Sequence, residues 1–200
     1  MLTLYDFRPS GNGYKVRLIL KHLGIPYDYV DTDILKGETR TAAFLAMNPN
    51  GKIPTLDFGD GRVLSESNAI LLHFADGTAF LPGDPWEKSK VHEWLFFEQY
   101  SHEPNIASPR FWLHYLEPGQ YDETELRKRQ KAGRAALQIM EDYLTENAFF
   151  GPNYGVADIA LYAYTHKADE GGQKLADFPA ITAWFERVCA QPGHAPIEEK

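Results

Sequence analysis

The chain has 200 residues, 44% hydrophobic and 24% charged, with 20 Lys and Arg against 28 Asp and Glu and a net charge of −8. That acidic balance provides no general cationic face, which argues against nucleic-acid binding and against docking on anionic membranes; a small anionic ligand needs only a few local cations. The single cysteine, Cys189, excludes an intrachain disulfide, CxxC redox chemistry and cysteine-rich zinc sites. No signal-peptide pattern or membrane-length apolar run is visible, so a cytoplasmic location is expected.

The first 75 residues alternate strand and helix patterns. "LTLYDF" reads as a short strand. Val16, Ile19, Leu20 and Leu23 fall at i, i+3, i+4 and i+7, one face of a helix that Gly24 ends, with Pro26 beyond. "YDYVD" is a second strand and "TAAFLAMN" a short helix stopped by Asn48-Pro49. "IPTLDF" and "GRVLS" form a hairpin turning at Gly59-Asp60-Gly61, and "ESNAILLHFA" is a third helix. The order βαβ-α-ββα predicts a compact α+β domain over residues 1–76 with a mixed four-stranded sheet. The Gly- and Pro-rich stretch 77–86 reads as a linker. Trp86 to Tyr115, Glu123 to Leu144, Val156 to Lys167 and Pro179 to Cys189 carry helical periodicity, so residues 87–200 are expected to form an all-α domain.

Three stretches carry candidate chemistry. The first is "RPSGNGYKVRL", a tight turn feeding a helix, with a partial G-x-G-x-x-G and Asp31 at about the fingerprint distance. A dinucleotide loop needs a small third residue for close helix–strand packing, and Val16 stands there instead. Its first strand should also be a near-continuous apolar run, whereas "LTLYDF" alternates and ends polar. The second is "NPNGKIPTL", where Pro54 starts a strand. A cis Ile53-Pro54 bond would aim the Ile53 backbone outwards to pair with an extended peptide-like ligand; the plainer reading is a strand-initiating proline. The third is "SESNAI". Its helix start suits a ligand carboxylate, with Ser67 as a donor and Glu66 as partner for an ammonium; the plainer reading is capping by Ser65.

The three stretches, in this order and with a helical half behind them, resemble the glutathione S-transferase superfamily over essentially the whole chain. "NPNGKIPTL" followed by "LSESNAI" is the most specific part. "GVADIALYAY" resembles the family's capping-box helix start, with Asp158 present, Gly155 in place of the hydroxyl residue, and Tyr154 and Ile159 placed for a hydrophobic staple. The resemblance implies a thioredoxin-like first domain, a homodimer, detoxification chemistry, no metal, and glutathione as co-substrate. By motif match, Glu66 and Ser67 would hold the γ-glutamyl end. The Ile53 backbone before Pro54 would pair with the cysteinyl backbone. Lys52, or more weakly Lys36, would face the glycine carboxylate.

The reaction needs the thiolate, so a site must draw a thiol pKa from about 8.5 towards neutrality or below. In the family the donor comes from the turn after the first strand. Here Gly13 removes the cysteine alternative, and Ser10 and Asn12 remain as candidate donors. Ser10 has an ordinary N-cap role as its plain reading. Tyr5 and Tyr14 could reach the same site, although core aromatics are the plainer reading. The electrophile is expected between the domains, against the helix holding His102, Arg110, Phe111 and His114; His166 is an outside candidate. Pro104 and Pro109 are expected to break or bend that run. Conjugation to an electrophilic carbon is the leading reading. The same thiolate would serve disulfide or peroxide reduction, dehalogenation or isomerisation, and a non-catalytic interaction module is a third reading.

Overall fold

The computed structural model describes residues 1–199. It divides into two compact units: Met1–Thr78 together with the chain from Pro192 onward, and Ala79–Gln191.

The first unit runs β1 (Thr3–Asp6), α1 (Gly11–His22), β2 (Asp28–Asp31), α2 (Ala42–Met47), β3 (Thr55–Asp57), β4 (Val63–Ser65) and α3 (Ser67–Ala75). The sheet order is β2-β1-β3-β4; β1 is parallel to β2, and β3 is antiparallel to β1 and β4. Side chains alternate across a strand, so Leu4 and Asp6 share the buried face of β1 while Tyr5 turns to the other. Leu4 and Leu56, paired across β1 and β3, anchor the core with Ile19, Leu20, Ile70 and Leu71. Ser10 caps α1, its hydroxyl accepting the Gly13 N–H at 3.3 Å. Every residue from Gly13 to Leu20 is buried, so α1 is enclosed rather than one-sided.

The chain from Pro192 onward supplies part of that enclosure. It was expected in the helical domain, but it returns to α1. Tyr14 donates its hydroxyl to the Ala195 carbonyl at 2.5 Å, Arg17 Nη2 donates to the Ile197 carbonyl at 3.0 Å, and Lys21 pairs with Glu199.

The second unit consists of α4 (Pro85–Phe97), a π-helical turn (Glu98–His102), α5 (Glu103–Tyr115), α6 (Glu123–Leu144), α7 (Val156–Thr165) and α8 (Pro179–Cys189). Asp84 caps α4, accepting the N–H groups of Trp86 and Glu87. The long run expected to break at prolines instead changes pitch at Glu98. Pro104 falls in the first turn of α5, where a helix needs no N–H donor, and Pro109 stays inside the helix. Trp94, Phe150 and Trp184 form the aromatic centre, with ring centroids 4.6 and 5.2 Å apart along that chain of contacts. All of α7 is buried. The Asp158 carboxylate accepts N–H groups from Gly155, Phe150 and the Trp184 indole at 3.1, 3.1 and 2.9 Å. Gly155 stands where the family places a hydroxyl residue because a Cβ there would lie 2.5 Å from the Phe80 carbonyl oxygen, which accepts the Val156 N–H.

Candidate functional site

The opening turn and the start of α3 meet through their side chains. Ser67, 5% exposed, donates its hydroxyl to the Asn12 amide oxygen at 3.1 Å. Behind this pair lies Lys15, a fully buried lysine whose Nζ donates to Ser67 Oγ and Asn68 Oδ1, each at 3.3 Å. An uncommitted hydroxyl and amide would rotate; the ammonium fixes both at one end. With its oxygen accepting from Ser67, the Asn12 amide has a fixed orientation. Ser10 is oriented in a similar way, because the Gly13 N–H holds its oxygen and leaves its one O–H as the donor.

Glu66, rather than Ser65, is the N-cap residue of α3; Ser65 ends β4. Glu66 sits at φ 70, alone among the described non-glycine residues in having positive φ. A left-handed backbone at a side-chain-bearing residue is costly, and such residues gather at ligand clamps. Here it turns the chain from strand into helix and leaves the Glu66 carboxylate exposed beside Ser67.

The loop before β3 is organised by Asn48, which is buried. Its Nδ2 donates to the Lys52 carbonyl at 2.8 Å and to Thr55 Oγ1 at 3.1 Å, and its Oδ1 accepts the Asn50 N–H. The Ile53–Pro54 bond is cis. Sheet pairing starts at Thr55, so the Ile53 backbone lies outside the ladder. Lys52 is exposed, while the exposed Lys36 is paired with Asp33 at 3.0 Å.

Beneath the opening turn lies a group that the sequence reading missed. Asp6 is fully buried and paired with Arg17 Nη1. Its carboxyl fills the space beside Gly13, where a Cβ would overlap the carboxyl oxygens. Gly13 is therefore required by Asp6, whatever ligand the turn accepts. Burial raises the Asp6 pKa to about 7, against the pull of Arg17. The signal was present: Asp6 is two residues from Leu4 on an alternating strand, and Arg17 lies on the enclosed helix.

The electrophile candidates separate. Tyr14 is 2% exposed and turned to Ala195, so it is a core residue. His102 is fully buried, its Nε2 2.9 Å from Thr165 Oγ1, which draws it into the interior of the second unit. Arg110 is buried and paired with Glu170 at 2.6 Å. Burial in both cases comes from the packing of the π turn and α5, which the sequence pattern did not show. Phe111 is half-buried and His114 exposed, and both rings contact Tyr115. Tyr5 is half-buried, edge-on to Phe44. His166 stacks on Tyr162 at 4.5 Å. Among the described residues no group of three or more His, Cys, Asp or Glu could hold a metal ion, and no helix is long and apolar enough to cross a membrane.

Comparison with known proteins identifies this architecture. Residues 9–76 match the glutathione S-transferase N-terminal domain and residues 105–192 the glutathione S-transferase C-terminal domain. The chain belongs to the glutathione S-transferase superfamily. A glutathione S-transferase structure from Pseudomonas fluorescens is 49% identical with a TM-score of 0.95, each chain covered to 99%. The structure of Ure2p in complex with glutathione is 25% identical with a TM-score of 0.85, covering 96% of this chain and 90% of that one. Among curated proteins, the disulfide-bond oxidoreductase YfcG of Escherichia coli (strain K12) is 29% identical, over 96% of this chain and 92% of its own length.

Proposed function

We propose that the protein is a glutathione transferase, binding reduced glutathione on its first unit and adding the thiolate to small electrophiles. The joined pair Asn12–Ser67 carries this reading, because it ties a thiol-side donor to the start of α3, whose backbone N–H groups suit a carboxylate. Glu66 and Ser67 hold the ammonium and carboxylate of the γ-glutamyl group. The Ile53 backbone pairs with the cysteinyl unit, and Lys52 meets the glycine carboxylate. Lys36 is the weaker partner for that carboxylate, since Asp33 already holds it.

The thiol sits at the N-terminus of α1, where backbone N–H groups and the helix dipole favour negative charge. Ser10 or Asn12 donates one hydrogen bond to the sulfur. Each tenfold gain in thiolate is about 1.4 kcal/mol of differential stabilisation, and one charge-assisted donor supplies about that much. Phe111 and His114 on α5, and Tyr5 on β1, are the remaining candidates to contact the electrophile. The complex of Ure2p with glutathione supports the ligand assignment. A homodimer fits the exposed Phe96 and Tyr100 of the second unit, which are 74% and 90% exposed.

A second reading keeps glutathione and changes the acceptor to a disulfide. YfcG, named a disulfide-bond oxidoreductase, favours it. With no cysteine in the opening turn, both thiols would come from glutathione. Millimolar glutathione should raise the melting temperature and its bound thiol should titrate below the free value; no thermal shift would sink both readings. A panel of aryl halide, hydroperoxide, disulfide and maleyl substrates then separates them.

A further inference from the structure

Asp6 has features that sheet packing alone does not call for. It occupies a core position on β1 between Tyr5 and Phe7, where an apolar residue would complete the buried face begun by Leu4. One carboxyl oxygen pairs with Arg17, the other, Oδ1, is buried without a side-chain partner, and the Phe7 backbone N–H lies near the carboxyl. That oxygen lies where a side chain at position 13 would begin. Gly13 in turn donates its N–H to Ser10 Oγ, the candidate thiol donor. A buried acid is therefore packed directly under the turn that is to hold a thiolate.

We propose that Asp6 is a positioning residue for the thiol site, its carboxyl and the Arg17 guanidinium together setting the charge under the first turn of α1 where the thiol is held. This rests on the glutathione reading above and deepens it. The groups facing Asp6 are few. Arg17 comes from α1 and Arg8 from the segment after β1, both favouring the ionised form. Tyr27 and Tyr29 lie on the β2 side, with Asp31 beyond Tyr29. The Tyr29 hydroxyl donates to the Asp6 carbonyl at 3.3 Å, not to its carboxyl. From the C-terminal segment the Ile197 carbonyl accepts from Arg17 and the Glu199 carbonyl from Arg8, while the Glu199 carboxylate is paired with Lys21. With an apparent pKa of about 7, Asp6 changes charge in the range where a bound thiol would titrate.

The direction follows from either protonation state. If Asp6 is ionised, replacing it by asparagine leaves the Arg17 charge unbalanced and the turn more positive. If it is protonated at the start, the variant cannot ionise and never opposes the thiolate. An acid packed under the turn and a thiol held on that turn titrate as a coupled pair, in two steps. By linkage, formation of the thiolate must make Asp6 harder to ionise by the same factor.

The test is the thiolate absorbance of glutathione bound to the full chain, followed against pH for wild type and Asp6→Asn. The variant curve should move to lower pH by about half a pH unit or more and lose its second step. A merely structural role would lower the melting temperature without moving that curve. A variant curve superimposable on wild type, with glutathione bound, overturns the proposal. Should Asp6→Asn fail to fold, the wild-type protein still decides. Its Asp6 carboxyl, followed by carbon NMR, should titrate at higher pH with glutathione than with S-methylglutathione, which has no ionisable thiol. Equal titration with both overturns the proposal. Absence of glutathione binding by wild type would instead overturn the glutathione reading and this inference with it.

Discussion

Ser67 and Asn12, 55 residues apart in the chain, share a hydrogen bond of 3.1 Å that ties the start of α3 to the opening turn. Their bond gives the two ends of the candidate ligand site one common alignment. Ser67→Ala removes that bond and should weaken glutathione binding up to about tenfold, the range of one lost neutral hydrogen bond. Asn12→Ala should raise the bound thiol pKa. In calorimetric titrations of both single variants and the double variant, the effects should fall short of additivity, because the two residues act through one bond. Strict additivity would show that the bond carries no function.

Lys15 separates a stabilising role from a binding role. A buried charge is a weak contributor to stability, and an apolar side chain of similar length can replace it at little cost. Lys15→Met should therefore leave the melting temperature within a few degrees while releasing Ser67 and Asn68. Glutathione affinity should fall at least tenfold, read as a rise in KM with a smaller change in kcat. Unfolding of the variant with full affinity in its residual folded fraction would make Lys15 structural only.

Much of the fold was legible because its signals are local. Strand alternation, the i, i+3, i+4, i+7 positions of α1 and the glycine turn between β3 and β4 each lie within one short window. The pairing of Ile53–Pro54 with Glu66–Ser67 was legible as a motif. The return of Ala195, Ile197 and Glu199 to α1 was not, because contacts about 180 residues apart leave no periodic trace. Asp6 stands at the polar end of an alternating strand, where nothing local distinguishes a buried acid from an exposed one. His102 and Arg110 carry chemistry-bearing side chains, and only tertiary packing shows that Thr165 and Glu170 already engage them.

Gly13 is constrained by Asp6, and that constraint is testable without any ligand. Gly13→Ala forces the Asp6 carboxyl off Arg17, and breaking a buried pair costs about 3–5 kcal/mol. Chemical denaturation should show a loss of that order or no folded protein. The double variant Asp6→Ser with Gly13→Ala frees the space beside residue 13 and should lose less than the two single losses added together. A Gly13→Ala protein as stable as wild type would show that the carboxyl moves aside without cost.

Asn48 holds the loop that presents Ile53. Asn48→Ala would leave the Lys52 carbonyl with only Thr55 Oγ1 and remove the acceptor of the Asn50 N–H. The expected loss is about 1–3 kcal/mol of stability. Amide hydrogen exchange should show the change concentrated between residues 48 and 55, with weaker glutathione binding alongside. Loss spread evenly over the first unit would make Asn48 an ordinary core residue.

Asp158 gives a stability prediction with a definite sign. Burial raises its pKa from 3.8 to about 7, although the Trp184, Phe150 and Gly155 N–H groups pull the other way. Between those two pH values the folded chain holds a proton that the unfolded chain has released. The contribution of a raised carboxyl is therefore full below about pH 4 and is lost as pH rises through 7. Asp158→Asn cannot titrate, so the stability gap between wild type and variant should be wider at pH 5 than at pH 8, by about 1 kcal/mol or more. Urea unfolding at the two pH values measures it. A gap that widens with pH instead would mean that the three N–H donors outweigh burial and keep the carboxylate ionised. In either case Asp158→Ala should be the most damaging change at this position, since it orphans all three donors at once.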